Sequence, residues 1–101
     1  MRIAIAHWQD RISPVFDVSD RLLLIDIEEG RELKRKDNVL NCRGPFERAR
    51  EVYRLGVQVL LCGAVSRPLE TALISSGVRV IGFICGGLVD VLNAYIKGHL
   101  A

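Results

Sequence analysis

Apolar residues recur along this chain in two patterns, one of strands and one of helices. Continuous apolar blocks lie in Met1–His7, Arg21–Glu28, Val57–Leu61 and Val78–Ile84. Such runs, apolar on both faces, predict strands buried inside a covered sheet. Arg31–Leu40 is more polar, and Glu29-Gly30 before it predicts a tight hairpin turn. Its Lys34, Arg35 and Lys36 predict an edge strand, where charge discourages pairing with another chain. The helical rhythm appears three times. Phe46–Leu55 follows Pro45 and places Phe46, Ala49, Val52 and Tyr53 on one face, with Glu47–Arg50 and Glu51–Arg54 pairs opposite. Ser66 caps a second helix with Pro68 in its first turn and Leu69, Ala72 and Leu73 as its buried stripe. Leu88, Val91, Leu92 and Tyr95 repeat at helical spacing in a third, Gly87–Lys97. Trp8–Asp20 reads as a loop, since Pro14 excludes a central strand. The resulting order, β-β-β-α-β-α-β-α, predicts one α/β domain over residues 1–101, a mixed sheet covered by helices.

Strand direction decides where chemistry would gather. If the first strand runs opposite to the second, then the first, third, fourth and fifth strands share one direction. His7, Cys42, Cys62 and Cys85 then fall at or just after the ends of those four strands. Ligand sites in open α/β sheets lie beyond the carboxyl ends of the strands. Thiolate and imidazole suit zinc, copper(I) and iron–sulfur centres, so these four residues are the candidate metal ligands. Gly63 follows Cys62, and Gly86-Gly87 follow Cys85. Gly86-Gly87 permit close backbone approach of a ligand, and the amides opening the last helix favour an anion. Arg67 opens the second helix and would neutralise the same anion. The competing reading is structural: free cysteine often behaves as a small buried hydrophobe, and Gly-Gly serves tight turns.

Composition narrows the function classes. A net charge of +2 on 101 residues suits a small anionic ligand and lacks the basic stripe of a nucleic-acid binder. The three cysteines, an odd number without CxxC spacing, argue against a disulfide framework and for a reducing, cytoplasmic setting. No apolar run reaches the ~20 residues of a membrane span, and the apolar N-terminus is too short for a signal segment. Ser13, Ser66 and Ser75 lack a nucleophile-elbow context, and no phosphate-loop motif is present. Asp26 and Glu28 have no partner carboxylate on the first strand for two-metal chemistry, and Asp90 does not supply it. The chain reads as a binding protein, not an enzyme.

Several segments resemble the dinitrogenase iron–molybdenum cofactor biosynthesis family. Ile12-Ser13-Pro14-Val15-Phe16 with Leu22–Glu28 is similar to its "ISPxF…FLIVDVE" pattern. Gly56–Ala64 with Ser76–Val80 is similar to "GVDVVIxGGxG…AGIKV", and the close through Ile96-Lys97-Gly98-His99-Leu100 to "VEEALEAYLxGxL". The resemblance implies a ribonuclease-H-like, five-stranded mixed sheet of order 3-2-1-4-5, strand two antiparallel, flanked by three helices. It also implies a nitrogen-fixation-related carrier of an anionic iron–sulfur or molybdenum-containing cluster, with metal-cofactor assembly proteins as partners. Some such carriers hold a mixed-metal sulfide cluster without covalent attachment. Cys62-Gly63-Ala64-Val65-Ser66 departs from the family's Gly-rich turn, which implies a different ligand, none, or a thiolate-ligated variant. The rival function is a metal-free module in which the same edge binds a protein or small anion.

Overall fold

The computed structural model describes residues 1–100. Its elements are β1 (Arg2–Trp8), β2 (Arg11–Ile12), β3 (Arg21–Glu28), β4 (Arg31–Val39), α1 (Pro45–Arg54), β5 (Val59–Leu61), α2 (Arg67–Ser75), β6 (Arg79–Ile81) and α3 (Leu88–Ile96), with a 3-10 turn at Phe16–Val18. The strands form one six-stranded mixed sheet in which β4, β3, β1, β5 and β6 are successive neighbours and β2 pairs with β1. The sheet therefore has one strand more than the five expected. β1 is antiparallel to β3, β3 is antiparallel to β4, and β1, β5 and β6 run parallel. Four strand ends thus point to one carboxyl edge.

Side-chain alternation divides the core between two layers. Ala4, Ala6, Leu22, Leu24, Leu60 and Cys62 face α1 and α2, packing on Ala49, Val52, Leu69 and Leu73. Ile3, Ile5, Leu23, Ile25, Val59 and Leu61 face Val91 and Leu92 of α3. Each residue from Ile3 to Ala6 is fully buried, as expected of a central strand covered on both faces. β4 is the opposite case, since none of its residues is buried. Glu29 and Gly30 both take positive φ (53° and 75°), the two-residue turn that matches hairpin twist. The register shifts between Asp26 and Ile27, so Leu33 has no partner across the ladder. Bulge and charge together protect this edge.

Three local expectations change. Trp8–Asp20 is more than a loop: Gln9 and Asp10, both at positive φ (50° and 62°), fold β2 back onto β1. Nothing in Gln-Asp resembles the Asn-Gly signal of such turns. The last strand stops at Ile81 instead of Ile84, because Phe83 takes a left-handed φ of 59°. On α1, Arg48, Ala49 and Val52 are buried, whereas Phe46 and Tyr53 are 75% and 61% exposed.

The Ile12–Phe16 segment crosses from the end of β1 to the turn after β5. Ala64 N–H donates to Pro14 O (2.8 Å) and Phe16 N–H to Ala64 O (2.8 Å). The crossing requires glycine at 63. A Cβ there would lie 2.5 Å from Ser13 O and 2.6 Å from Pro14 O, both backbone atoms. Overpacking of this kind destabilises by about 1–3 kcal/mol, so Gly63→Ala should lower the urea midpoint markedly. Gly82→Ala, whose Cβ would meet nothing nearer than 3.6 Å, is the control and should shift it little. Equal midpoints for the two variants would contradict the account.

Candidate functional site at the carboxyl edge

Backbone hydrogen bonds bind the carboxyl edge together. Ser13 N–H donates to Ala6 O, Ile12 N–H to Gly86 O and Leu88 N–H to Asp10 O, each at 2.9 Å. The β1–β2 hairpin is thereby fastened to the start of α3. Phe83 N–H donates to Gly63 O (2.8 Å) and Ile84 N–H to Cys62 O (3.0 Å), which fastens the loop after β6 to the end of β5. The left-handed turn at Phe83 carries a strain of about 1–2 kcal/mol for a non-glycine residue. It presents a phenyl ring that is 76% exposed. Trp8 at the end of β1, Val15 in the crossing segment and Val89 in the first turn of α3 are also exposed, at 59%, 40% and 65%. The edge is a hydrogen-bonded backbone frame with an apolar rim.

The predicted ligands are not brought to a common point. Cys62 is fully buried on the α1/α2 side of the sheet, and Cys42 packs partly buried against the same cluster. Burial pushes the Cys62 thiol up to about 12, with Glu70 and Asp17 adding to the effect. His7 follows Ile3 and Ile5 in alternation and lies on the opposite, α3 side of the sheet. Its Nε2 lies 2.8 Å from Asp37 Oδ1, and Arg21 Nη1 donates to Asp37 Oδ2 at 3.1 Å. Cys85 is exposed, in the loop between β6 and α3. Among the described residues, no three His, Cys, Asp or Glu side chains stand together so as to hold a metal ion.

The anion-binding features are also committed elsewhere. Gly63 serves the backbone crossing described above. At α2, Ser66 N–H donates to Asp17 Oδ1 (2.8 Å) and its Oγ to Asp17 Oδ2 (2.5 Å), while Leu69 N–H donates to Ser66 Oγ (3.4 Å). A carboxylate of the chain itself therefore occupies that helix start. At α3, Gly86 O and the Leu88 amide are engaged by the hairpin. Asp90 lies in the first turn, its Oδ2 3.3 Å from where a Cβ on Gly87 would be. Negative charge at both helix starts already offsets the helix dipole. Arg67 does not face these groups but lines a groove between α1 and α2.

Arg48 is the residue that sequence reasoning missed. It is 4% exposed, donates through Nη1 to Cys42 O (2.8 Å) and through Nη2 to Phe16 O (2.8 Å) and Ser19 O. Its guanidinium lies over the Phe16 ring, 5.1 Å from the centroid, within cation–π range. Its spacing of one and four residues from Ala49 and Val52 was the available signal. The side chain straps the 16–19 segment and the Cys42 loop to α1. Its Nε is the one buried side-chain polar atom without a partner among the described residues.

The dinitrogenase iron-molybdenum cofactor family model matches residues 1–98. The chain belongs to that family. A search of curated proteins yields no match. Among solved structures, PH0822 superposes with a TM-score of 0.92 at 24% identity, covering 100% of this chain and 95% of that one. MJ0327 of Methanocaldococcus jannaschii gives 0.78 at 20%, covering 100% and 92%. The apo form of the orange protein from Desulfovibrio gigas gives 0.82 at 19%, covering 99% and 90%. At these identities the likeness establishes a shared fold.

The donor set decides what a family member of this composition holds. Iron–sulfur clusters bound as resident groups take about four thiolates. This chain has three cysteines, one of them sealed in the core, so an internally ligated resident cluster does not fit. Cys62 instead makes the fold alkali-sensitive. Its folded pKa of about 12 lies above the ordinary 9.0. The unfolded thiol therefore ionises first, and the stability this contributes is present below about pH 9 and lost as pH rises towards 12. Cys62→Ala should flatten the decline in unfolding free energy across that window, measured by urea titration at stepped pH. An unchanged slope would contradict the burial of this thiol.

Proposed function

We propose that the chain is a non-enzymatic carrier of an anionic metal–sulfur cluster, iron–sulfur or molybdenum-containing, held as cargo on the carboxyl edge. The observation that carries this reading is the exposed Cys85 in the loop that backbone hydrogen bonds fasten to the end of β5. Family membership supplies the cargo class. Cys85 is the thiol placed to bond the cargo, while Trp8 and Phe83 offer apolar contact. The other predicted ligands have different roles: Cys62 is core, Cys42 is a partly buried packing residue, and His7 braces the Asp37–Arg21 pair. A hold through one thiol and apolar contacts suits a carrier that must release its load to cofactor-assembly proteins. Free cysteines support a reducing, cytoplasmic setting. Among the described residues, no helix is long and apolar enough to cross a membrane. The strand neighbours and the three helices support the ribonuclease-H-like assignment.

A second reading keeps the edge and removes the metal. The exposed Trp8, Phe83 and Val89, and carboxylates at both helix starts, favour a metal-free surface that binds a protein partner.

Anaerobic incubation with iron and sulfide, and separately with tetrathiomolybdate, followed by desalting and metal analysis, separates the readings. The carrier reading predicts retained metal and quenching of Trp8, the sole tryptophan. Cys85→Ala should lower retention several-fold, and Cys62→Ala should leave it unchanged. Absence of retained metal would favour the metal-free surface. Retention lost only in Cys62→Ala would place the cargo elsewhere.

A further inference from the structure

A groove of about 630 Å³ runs between α1 and α2 on the outer side of the molecule. None of the residues of the loop between β6 and α3 lines it, so it is distinct from the proposed cargo edge. Phe46 and Tyr53 form one wall, with Pro68 and Ala72 opposite. The two aromatics are 75% and 61% exposed, although the apolar pattern of α1 marks both for burial. They stand seven residues apart, about 10 Å along the helix at 1.5 Å per residue. Contiguous exposed apolar surface on a small domain marks an interaction site.

Charge identifies the occupant. Arg50 and Arg67 flank the groove, and no Asp or Glu lines it. Among the described residues neither arginine forms a salt bridge, whereas Arg54, one turn on, is paired with Glu51 at 3.0 Å. An apolar floor between unpaired cations complements an amphipathic segment with an acidic border. A partner helix with apolar anchors at i and i+7 spans the same ~10 Å that separates Phe46 from Tyr53 along α1. We infer that the α1/α2 groove docks an acidic amphipathic helix of another protein, with apolar anchors on Phe46 and Tyr53 and carboxylates on Arg50 and Arg67. The inference does not depend on whether the chain carries a cluster.

The test is selection from a displayed library of helical peptides of about 16 residues, long enough for anchors one heptad apart. Apolar and charged positions would be randomised without charge bias, with the intact, metal-free chain as bait. The expected binders are net acidic. Their affinity should fall at least about tenfold with Arg50→Glu/Arg67→Glu and with Phe46→Ser/Tyr53→Ser. All four side chains line the groove surface, and circular dichroism would verify that the variants keep the fold. Failure to enrich binders, enrichment of basic or uncharged ones, or binding indifferent to both variants would overturn the inference. Sedimentation revealing a dimer that Phe46→Ser dissociates would overturn it too, by assigning the groove to a second copy.

Discussion

The backbone of Ser13 and Pro14 lies so close over Gly63 that a methyl group there would approach two carbonyl oxygens to 2.5 and 2.6 Å. The carboxyl edge is organised around this contact. It allows the Ala64 amide and carbonyl to bond on either side of the crossing segment. That fixes Phe16 in the core, and Phe16 in turn stacks under Arg48. From the other direction, Gly63 O accepts from Phe83 and sets the left-handed turn that exposes Cys85. A single absent side chain thus couples the end of β1, the end of β5 and the loop after β6. The Ile12–Phe16 resemblance to the family pattern therefore has a structural basis, since that segment closes the fold.

The same frame explains why the cysteines do not form a metal centre. Strand direction does gather the four predicted ligands at or near one edge in chain terms. Strand alternation then separates them: His7 follows Ile3 and Ile5 onto the α3 side, while Cys62 follows Leu60 onto the α1/α2 side. Each thiol meets a different fate, in the core, at its margin and in solvent. On the proposed carrier reading, a metal cluster would be a passenger on the surface, and a hold made at few points is compatible with handing it on.

Much of the fold was legible in the sequence. Arg21–Glu28 reads as a strand from its composition alone, and Ser66 and Pro68 mark the start of the second helix. What escaped was set by tertiary contacts. Gln9-Asp10 turns without glycine because the returning strand is held by Ala6 and Gly86. Phe83 ends β6 early because the Gly63 carbonyl captures its amide. The stripe on α1 is rotated from the expected one because Arg48, a charge, takes a core-facing position that three carbonyls and a phenyl ring make tolerable. The sequence marked both Cys62 and Cys85, each a cysteine before glycine at a strand end, and favoured Cys85 for the Gly86-Gly87 helix start that follows it. Only the pleat and the loop geometry distinguish a sealed thiol from an open one.

The central claim is that cargo sits on the carboxyl edge beside Cys85, away from the buried Cys62. The most direct measurement is an amide NMR map of the iron-and-sulfide-reconstituted chain, in which a paramagnetic cluster broadens nearby resonances. The account predicts broadening confined to Trp8–Gln9, Val15 and Phe83–Leu88, with α1 and the strand centres unaffected. Broadening centred on the α1/α2 face, or spread evenly over the chain, would contradict it.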